Sequence, residues 1–374
     1  MVVTPVLHKL ESTNLGSNTL SHGSAAVIGH EVFAIGHPAM SFSGNSSIST
    51  IETSFDNSPA SVPVINMKNR SFAPVPCCTT ATINNAENNS SIRYNPRCTN
   101  FYSYAFDYRG KLHIMDKAVF DAQKLHLFAL NSDSSWTIIE QKNREEGPPD
   151  DLHFYSAIYH PHRDSVIIFG GLSGDDREMM EFSLLTNKWS HITYTNKSPF
   201  SRMFLAGLSL HDGKLIVFGG INSSFSLTGN AVNAFNFITR SWEKLSDNVT
   251  DGPKNRYNHA KAIIGDCLYV YGGFNEEVQN SLNDLWEYDL NERKWRAITL
   301  DLGGGLEKPI YIHACSAALY QQSKLVMIGG FNSNYEPNPG AYVIDFGNMQ
   351  PDNAFPRIHA FVKEKLFADC TIKI

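Results

Sequence analysis

Four tryptophans lie at equal intervals along the chain. Trp136, Trp189, Trp242 and Trp295 are each 53 residues apart. Three of them follow an aromatic residue by seven positions: Phe182, Phe235 and Tyr288. A fixed period of about 50 residues is typical of tandem repeats that bury their apolar faces against each other. An ordinary β-sandwich with scattered glycines predicts no fixed period.

Four units of the chain contain a glycine doublet at the end of a short apolar run, whereas Asp116-Lys117 stands in this place in the unit of Trp136. The doublets are Gly170-Gly171, Gly219-Gly220, Gly272-Gly273 and Gly329-Gly330, after the runs VIIF, LIVF, LYVY and LVMI. Adjacent glycines at a strand end allow positive φ and a close approach of another backbone. Within the unit 268–300, Asn291-Glu292-Arg293 separates two β-rich runs and predicts a tight hairpin. The repeat is therefore built from strands.

This unit resembles the Kelch repeat, whose copies are four-stranded blades of a β-propeller. The resemblance implies an all-β fold with six blades, of which blades 3 to 5 match most closely. Blade 6 lacks a fourth strand, and the amino-terminal run Val2 to Leu10 has no blade of its own. Since an open ring leaves strand edges unpaired, we predict that this run closes blade 6. For blade 1 we predict strands at Ser24 to Ile28, Glu31 to Ile35, Ile51 to Phe55 and Val62 to Met67.

The propeller is predicted to occupy residues 1–350, with an Asn/Ser-rich inserted loop at 71–100 and a tail at 351–374. In the tail, 356–362 predicts a short helix. The last ten residues resemble the opening of a BTB/POZ domain, in which Phe367, Asp369 and Thr371 form a Phe-x-Asp-x-Thr strand. That resemblance implies a longer Kelch–BTB protein. The alternative is an ordinary tail that packs under the ring.

Composition narrows the class of protein. The net charge of −6 does not favour nucleic-acid binding. The sequence contains no run of 18 apolar residues, so no membrane span is predicted. The amino terminus does not resemble a secretory signal, so we expect a cytoplasmic protein whose six cysteines are reduced thiols. Cys77, Cys78 and Cys98 match no zinc-ligand spacing.

Candidate binding residues lie in the loops at one end of the predicted blades. With strands a to d running outward from the axis, the b–c loops and the d–a connectors share a face. They carry aromatic, amide, acidic and arginine side chains, which suits recognition of a protein surface. The candidates are Asp175, Asp176, Arg177, Arg202, Asn222, Phe225, Arg256, Phe274, Glu276, Glu277, Phe331, Asn334 and Tyr335.

No catalytic residue, cofactor or metal is expected. Some Kelch propellers resemble copper-radical oxidases, sialic-acid epimerases or iron-dependent specifier proteins. The oxidases need Tyr, His and Cys groups that converge on the axis. Here Tyr311, His313 and Cys315 come from a single blade. His259 and His313, like His153, fall near inner strands; we expect buried, hydrogen-bonded rings there, and an axial metal site is the alternative.

The resemblance to Kelch proteins implies a non-catalytic scaffold that binds a partner protein through one rim. The Asn/Ser-rich segments resemble those of fungal proteins, which implies an adaptor in cell polarity or Ras-type small-GTPase signalling at the cell cortex. The BTB-like tail implies an alternative: dimerisation, and presentation of a bound client to a cullin ubiquitin ligase. Fold analogy alone does not decide between these functions.

Overall fold

The structure of the protein is a computed structural model. It describes residues 4–10, 20–38, 61–68, 71–76, 81–84, 91–94, 103–117, 125–133, 135–150, 152, 154–171, 179–200, 203–222, 226, 229–303 and 306–347. The predicted helix at 356–362 and the BTB-like motif lie outside these residues, so both stay predictions. No helix among the described residues is long and apolar enough to cross a membrane.

Six sheets of mainly antiparallel strands, arranged as blades, confirm the predicted six-bladed propeller. The chain begins with strand β1 (Val6–Lys9), which belongs to blade 6. Blade 1 contains β2 (Leu20–Ile28), β3 (Glu31–Pro38), β4 (Ser61–Asn66) and β5 (Ser71–Pro76), and a separate hairpin follows with β6 (Ala81–Asn84) and β7 (Ser91–Tyr94). Blade 2 contains β8 (Tyr104–Tyr108), β9 (Lys111–Lys117), β10 (Leu125–Leu130) and β11 (Trp136–Ile139). Blade 3 contains β12 (Ser156–His160), β13 (Ser165–Phe169), β14 (Met179–Ser183) and β15 (Lys188–His191).

The second half of the ring follows the same plan, with short extra strands in the loops. Blade 4 contains β17 (Gly207–His211), β18 (Lys214–Phe218), β20 (Val232–Asn236) and β21 (Ser241–Lys244), beside a small pair formed by β16 (Met203–Phe204) and β19 (Ile221–Asn222). Blade 5 contains β22 (Ala260–Ile264), β23 (Cys267–Tyr271), β26 (Leu285–Asp289) and β27 (Lys294–Ile298), with β24 (Phe274–Asn275) and β25 (Asn280–Ser281) in its b–c loop. Blade 6 contains β29 (Ser316–Tyr320), β30 (Lys324–Ile328) and β31 (Ala341–Asp345), and β28 (Asp301–Leu302) lies at its outer edge. Among the residues that the structure describes, short 3-10 turns occur at Arg144–Glu146 and Pro161–Arg163.

Blade 1 differs from the sequence-based assignment. Its third strand is Ser61–Asn66, which pairs with β3, so the prediction that Val62 to Met67 forms the fourth strand was wrong. The fourth strand is Ser71–Pro76, at the start of the predicted insert. The predicted strand at 51–55 lies outside the described residues. In this blade neither a glycine doublet nor a tryptophan marks the strand ends, so the period could not be read from the sequence.

The predicted closure of the ring by the amino-terminal segment is confirmed. Strand β1 pairs antiparallel with β31, and Val6 lies opposite Asp345. On its other side β1 runs parallel to β28. Leu7 is completely buried among residues of blades 5 and 6. Strand β1 thus covers the edge of blade 6, whose backbone groups would otherwise be unpaired.

The apolar runs before the glycine doublets are buried on both faces. In β13, Val166 and Ile168 pack against blade 2, whereas Ile167 and Phe169 pack against blade 4. Successive side chains of a strand point to opposite faces, so a strand between two blades must be apolar at every position. The core formed by the described residues is accordingly divided into six clusters, each between two neighbouring blades.

The repeated tryptophans are packing residues, as predicted. Trp189, Trp242 and Trp295 lie directly across the c–d hairpin from Phe182, Phe235 and Tyr288. The ring centroids are 4.9, 5.1 and 4.9 Å apart, and the rings are tilted by 54°, 55° and 54°. Cross-strand aromatic pairs of this kind stabilise a sheet beyond simple burial. The seven-residue spacing is the length of this hairpin.

Two asparagines cover the outer edges of blades 3 and 4. The Asn143 amide accepts a hydrogen bond from the Trp189 N–H (2.7 Å) and donates to the Trp189 carbonyl (2.9 Å). Asn196 makes the same pair of bonds to Trp242, both at 2.8 Å. Each asparagine precedes its tryptophan by 46 residues. A side-chain amide thereby satisfies backbone groups that an edge strand leaves open.

Replacing Asn196 with alanine is expected to lower the free energy of unfolding by about 1–2 kcal/mol, since two neutral hydrogen bonds are lost at a half-covered edge. The exchange rate of the Trp242 backbone amide, measured by NMR, should rise well above that of the wild type. Val249 stands 46 residues before Trp295, so Val249→Ala serves as the matched control and should leave the Trp295 amide unchanged. An unaltered exchange rate of the Trp242 amide in the Asn196 variant would contradict the role of Asn196 at this strand edge.

Candidate functional site

The b–c loops and d–a connectors meet on one face, as predicted, and the glycine doublets join them. The Gly220 N–H donates to the Arg256 carbonyl (2.9 Å), and the Gly273 N–H donates to the Ile312 carbonyl (2.8 Å). In each case a doublet of one blade contacts the connector that enters the next blade. Both glycines of every doublet have positive φ, between 64° and 105°. This conformation favours glycine, and it turns the b–c loop over the neighbouring connector.

Over blades 5 and 6, the connectors of this face pair with its b–c loops. Tyr257 and Phe274 exchange backbone hydrogen bonds of 3.1 and 2.9 Å, and His313 and Phe331 do the same at 3.1 and 2.9 Å. Connector and loop therefore form short β-bridges above each blade. These bridges hold the side chains of the loops in a defined arrangement on the rim.

Several of the candidate residues can be placed only by sequence. Asp175, Asp176, Arg177, Arg202 and Phe225 lie outside the described residues. Asn222 is described: its side-chain oxygen accepts a hydrogen bond from the Ser226 N–H at 3.0 Å, which shapes the b–c loop of blade 4. These six positions remain predictions as partner-binding residues.

Arg256 is buried beneath the rim. None of its side chain is exposed, and it forms a bidentate pair with Asp284 at 2.8 and 2.9 Å. It also donates to the carbonyls of Gly272 (2.8 Å) and Lys254 (3.0 Å). The guanidinium therefore ties the d–a connector to the b–c loop of blade 5. It supports the rim, and its charge is not on the surface where a partner could meet it.

These contacts shift the pKa of the Asp284 carboxylate. Burial by itself raises the pKa of Asp284, but the Arg256 guanidinium and the indole N–H of Trp286 (2.6 Å) outweigh burial and hold the pKa below its ordinary value. Asp284 is therefore ionised at neutral pH, as its bidentate bond to arginine requires.

An aromatic stack joins blades 5 and 6 under the rim. Phe274 and Phe331 are each 2% exposed. The His313 ring lies 5.1 Å from Phe274 and 5.6 Å from Phe331, measured between centroids. His313 Nδ1 is 2.7 Å from the hydroxyl of Ser281. The two phenylalanines are thus the base of the rim, while the residues above them form its surface.

Tyr335 is the exposed end of this stack. Its ring lies 5.2 Å from Phe274 and 5.4 Å from His313, and 40% of the residue is exposed. Burial of the inner part, together with the nearby Glu276 carboxylate, raises the pKa of Tyr335 to about 12. Tyr335 is therefore an uncharged ring with a hydroxyl donor, held on a rigid base.

The b–c loop of Phe274 and the connector of His313, which both contact Tyr335, also carry carboxylates and apolar side chains. Glu276 accepts a hydrogen bond from the Tyr257 hydroxyl at 3.2 Å, while Glu277 and Asn334 are exposed. Val278, in the same loop as Glu276, is 46% exposed, and Tyr311, in the connector to blade 6, is 40% exposed. Val278 and Tyr311 are not among the predicted binding residues, because neither belongs to a motif that points to binding. We call Val278, Tyr311 and Tyr335 with Glu276 and Glu277 the blade 5–6 rim.

The histidines differ from one another. His313 is buried and hydrogen-bonded, as expected. His259 is also buried, but neither ring nitrogen has a hydrogen-bond partner among the described residues, so that part of the expectation was wrong. His153 lies outside the described residues. Nowhere in the described ranges do three or more His, Cys, Asp or Glu side chains form a group that could hold a metal ion.

A ring of six blades, with glycine doublets in blades 3 to 6 and closure of blade 6 by β1, defines a Kelch-type β-propeller. A model of the KLHDC2/KLHL20/DRC7 Kelch-repeats domain matches residues 110–330, from the first hairpin of blade 2 to the doublet of blade 6. This is more than half of the chain, which therefore belongs to this Kelch-repeat family.

Individual relatives are more distant. The chain is 25% identical over 191 residues to Kelch domain-containing protein 10 of Xenopus tropicalis, covering 49% of this chain and 45% of that protein. It is 28% identical over 162 residues to the Drosophila melanogaster leucine-zipper-like transcriptional regulator 1 homolog, covering 41% and 16%. It is 25% identical over 165 residues to Kelch-like protein 40 of Xenopus tropicalis, covering 42% and 26%. The chain thus spans less than half the length of the relatives it matches.

Proposed function

We propose that this propeller is a non-catalytic interaction module that binds a partner protein through the blade 5–6 rim. The observation that carries the proposal is Tyr335, a 40% exposed ring on a buried aromatic base. Tyrosine is enriched among the residues that contribute most to binding, because a rigid ring buries a large area at little entropic cost. Val278 and Tyr311 add apolar surface, and Glu276 and Glu277 add polar groups around it.

The finer assignments depend on the sequence. An adaptor in fungal cell polarity or Ras-type signalling, at the cell cortex in the cytoplasm, is proposed from the Asn/Ser-rich segments. A substrate-recognition role in a cullin ligase, with homodimerisation through a following BTB domain, is proposed from Phe367, Asp369 and Thr371. Light scattering on the protein purified from its native cell separates the two proposals, since a dimer is expected only in the second case.

The role of the rim can be tested by comparing two variants. One carries three substitutions on the rim, and the other carries two substitutions on the opposite face of the propeller. The rim variant carries Tyr335→Ala, Tyr311→Ala and Val278→Ser. The control variant carries Leu185→Ser and Ile238→Ser, which replace side chains 63% and 90% exposed in the c–d turns at the other end of the blades. Both remove exposed apolar surface, so neither should unfold the ring.

Each variant is used to capture proteins from the native cell, with quantification by mass spectrometry. We expect specific partners of the wild type to fall about tenfold or more with the rim variant, as for loss of interface hot spots, and to persist with the control. Circular dichroism and thermal unfolding establish that both variants are folded. Equal capture by the rim variant and the wild type would contradict the assignment of this face.

A further inference from the structure

Two tyrosine rings and one carboxylate meet at the b–c loop of blade 5. The Tyr257 hydroxyl donates to Glu276 Oε1 at 3.2 Å, and the Tyr257 ring lies 5.8 Å from the Phe274 ring. On the same phenylalanine, the exposed ring of Tyr335 lies at 5.2 Å. Both tyrosines therefore rest on Phe274, which belongs to the loop that carries Glu276.

The three polar side chains also affect each other electrostatically. Burial, and then the Glu276 carboxylate, raises the pKa of Tyr335 to about 12. Burial raises the pKa of Tyr257 as well, and Glu276 and Tyr335 both add to the rise. Both tyrosines are thus neutral at pH 7, and the negative charge of the group belongs to Glu276.

Within the described part of the chain, no basic side chain pairs with the carboxylates of these loops. None of the ion pairs there includes Glu276, Glu277 or Glu336. Glu277 is instead 3.5 Å from the Asn255 amide, and Glu336 accepts from the Asn332 amide at 2.8 Å. These neutral contacts leave the three charges uncompensated.

The surrounding sequence does not compensate them either. Arg256 is buried and already bonded to Asp284. The connector into blade 6 carries one residue of each sign, Glu307 and Lys308, and Lys254 is the remaining basic residue in segments 254–258, 274–284, 306–312 and 331–340. This part of the rim is therefore acidic, and its electrostatic complement is a basic group.

The loop of blade 6 holds Tyr335 in a fixed position. Its φ is 56°, a value that residues with a side chain rarely adopt. On either side of it, the N–H groups of Asn334 (2.8 Å) and Glu336 (3.0 Å) donate to the side-chain oxygen of Asn332. The Tyr335 N–H donates to the Asn332 carbonyl at 3.1 Å. Uncommon backbone conformations of this kind persist where the surrounding structure imposes them, often at ligand-binding positions.

We propose that the blade 5–6 rim binds an arginine side chain of its partner protein, with the guanidinium on the Tyr335 ring and hydrogen-bonded to Glu276. A guanidinium stacks on aromatic rings and donates to carboxylates through a planar fork, so one side chain fits both groups. This inference rests on the proposed function and adds the chemistry of the partner, namely a basic segment.

Two synthetic nonapeptides of glycine and serine test the proposal. One contains two arginines, and the other contains citrulline at the same positions, which keeps the size of the side chain and removes its charge. Ligand-observed NMR with the purified chain, at constant ionic strength, measures the binding of each. We expect saturable binding of the arginine peptide and binding about tenfold weaker or less for the citrulline peptide. Equal binding of the two peptides, or no saturable binding of the arginine peptide, would overturn the proposal.

Substitutions then locate the arginine peptide on the rim. Glu276→Gln keeps an acceptor for Tyr257 and removes the charge, so binding should weaken about tenfold. Tyr335→Leu removes the ring and keeps apolar surface at a φ that Leu205 also adopts, and it should weaken binding about two- to fivefold. Glu145→Gln is the matched control, because it removes an exposed carboxylate from the connector into blade 3. Equal binding by Glu276→Gln and Glu145→Gln would refute the site.

Capture from the native cell separates this inference from the proposed function. The rim variant tests the binding face, whereas Glu276→Gln tests only its charge. We expect both to lose the specific partners. If the rim variant loses them and Glu276→Gln retains them, the binding face stands and the arginine site is wrong. If neither loses them, the proposed function itself is wrong.

Discussion

Replacing Asp284 with alanine is expected to lower the free energy of unfolding by about 3 kcal/mol or more, because it leaves a buried charge without its partner. Arg256 has no exposed surface and forms its bidentate bond only with this carboxylate. The two remaining acceptors, the carbonyls of Gly272 and Lys254, carry no net charge. Urea unfolding followed by tryptophan fluorescence measures the loss.

A double-mutant cycle separates the ion pair from other effects of the substitution. In an Arg256→Met background, Asp284→Ala should cost less than about 1 kcal/mol, since the Asp284 side chain is 38% exposed and water can solvate it. Glu292→Ala, which removes an exposed partner of Arg296, is the control for a surface pair and should also cost less than about 1 kcal/mol. If Asp284→Ala lowers the free energy of unfolding equally in the wild-type and Arg256→Met backgrounds, then Arg256 and Asp284 do not stabilise each other.

The same pair predicts a dependence of stability on pH. The pKa of Asp284 is lower in the folded protein than in the unfolded chain. Its contribution is therefore complete above the ordinary carboxyl pKa of about 3.9 and is lost as the pH falls through the lower folded value. Unfolding free energies measured from pH 5 downwards should decrease more steeply for the wild type than for Asp284→Ala. Parallel curves would contradict the assigned shift.

Gly272→Ala is expected to destabilise the propeller by about 3 kcal/mol. The positive φ of 64° costs a side-chain-bearing residue about 1–2 kcal/mol. In addition, the new Cβ would overlap the Ile312 carbonyl oxygen, which belongs to the connector into blade 6. Backbone cannot move aside as a flexible side chain can, so blades 5 and 6 would have to separate or the loop would have to shift.

Gly265→Ala is the matched control for this substitution. Gly265 has a similar φ of 59°, but no atom lies within 4 Å of the position of an added Cβ. It should therefore show only the conformational cost of about 1–2 kcal/mol. The difference between the two variants, obtained from thermal or urea unfolding, reports the contact between blades. Equal losses would show that the doublet is required for its φ alone.

Much of the fold could be predicted from residues with a fixed spacing. The tryptophans and glycine doublets gave the positions of blades 3 to 5, because a hairpin and a strand end impose the same spacing in every copy. The free apolar run at the amino terminus predicted closure of blade 6. In blade 1 those markers are missing, and the third and fourth strands were assigned to the wrong segments.

Other features carry no sequence signal. The residue two positions before the inner strand has φ between 53° and 58° in four blades: Phe154, Leu205, Asn258 and Ala314. Phenylalanine, leucine and alanine do not favour this conformation, so only the packing of the connectors imposes it. The hydrogen bonds of Asn196 to Trp242 are likewise not predicted by the sequence. An asparagine in a polar connector does not indicate that its side-chain amide contacts an edge strand 46 residues away.

The sequence by itself determined the number of blades, the strands of the regular repeats and the face on which the loops lie, because these follow from local spacing and alternation. The tertiary structure decided the role of each rim side chain. Arg256, Phe274 and Phe331 looked like surface candidates and are buried supports, while Val278 and Tyr311 are exposed. Burial depends on contacts between loops of different blades. Those contacts join residues far apart in the chain, as do the contacts of His259 and Lys261 with Gly207.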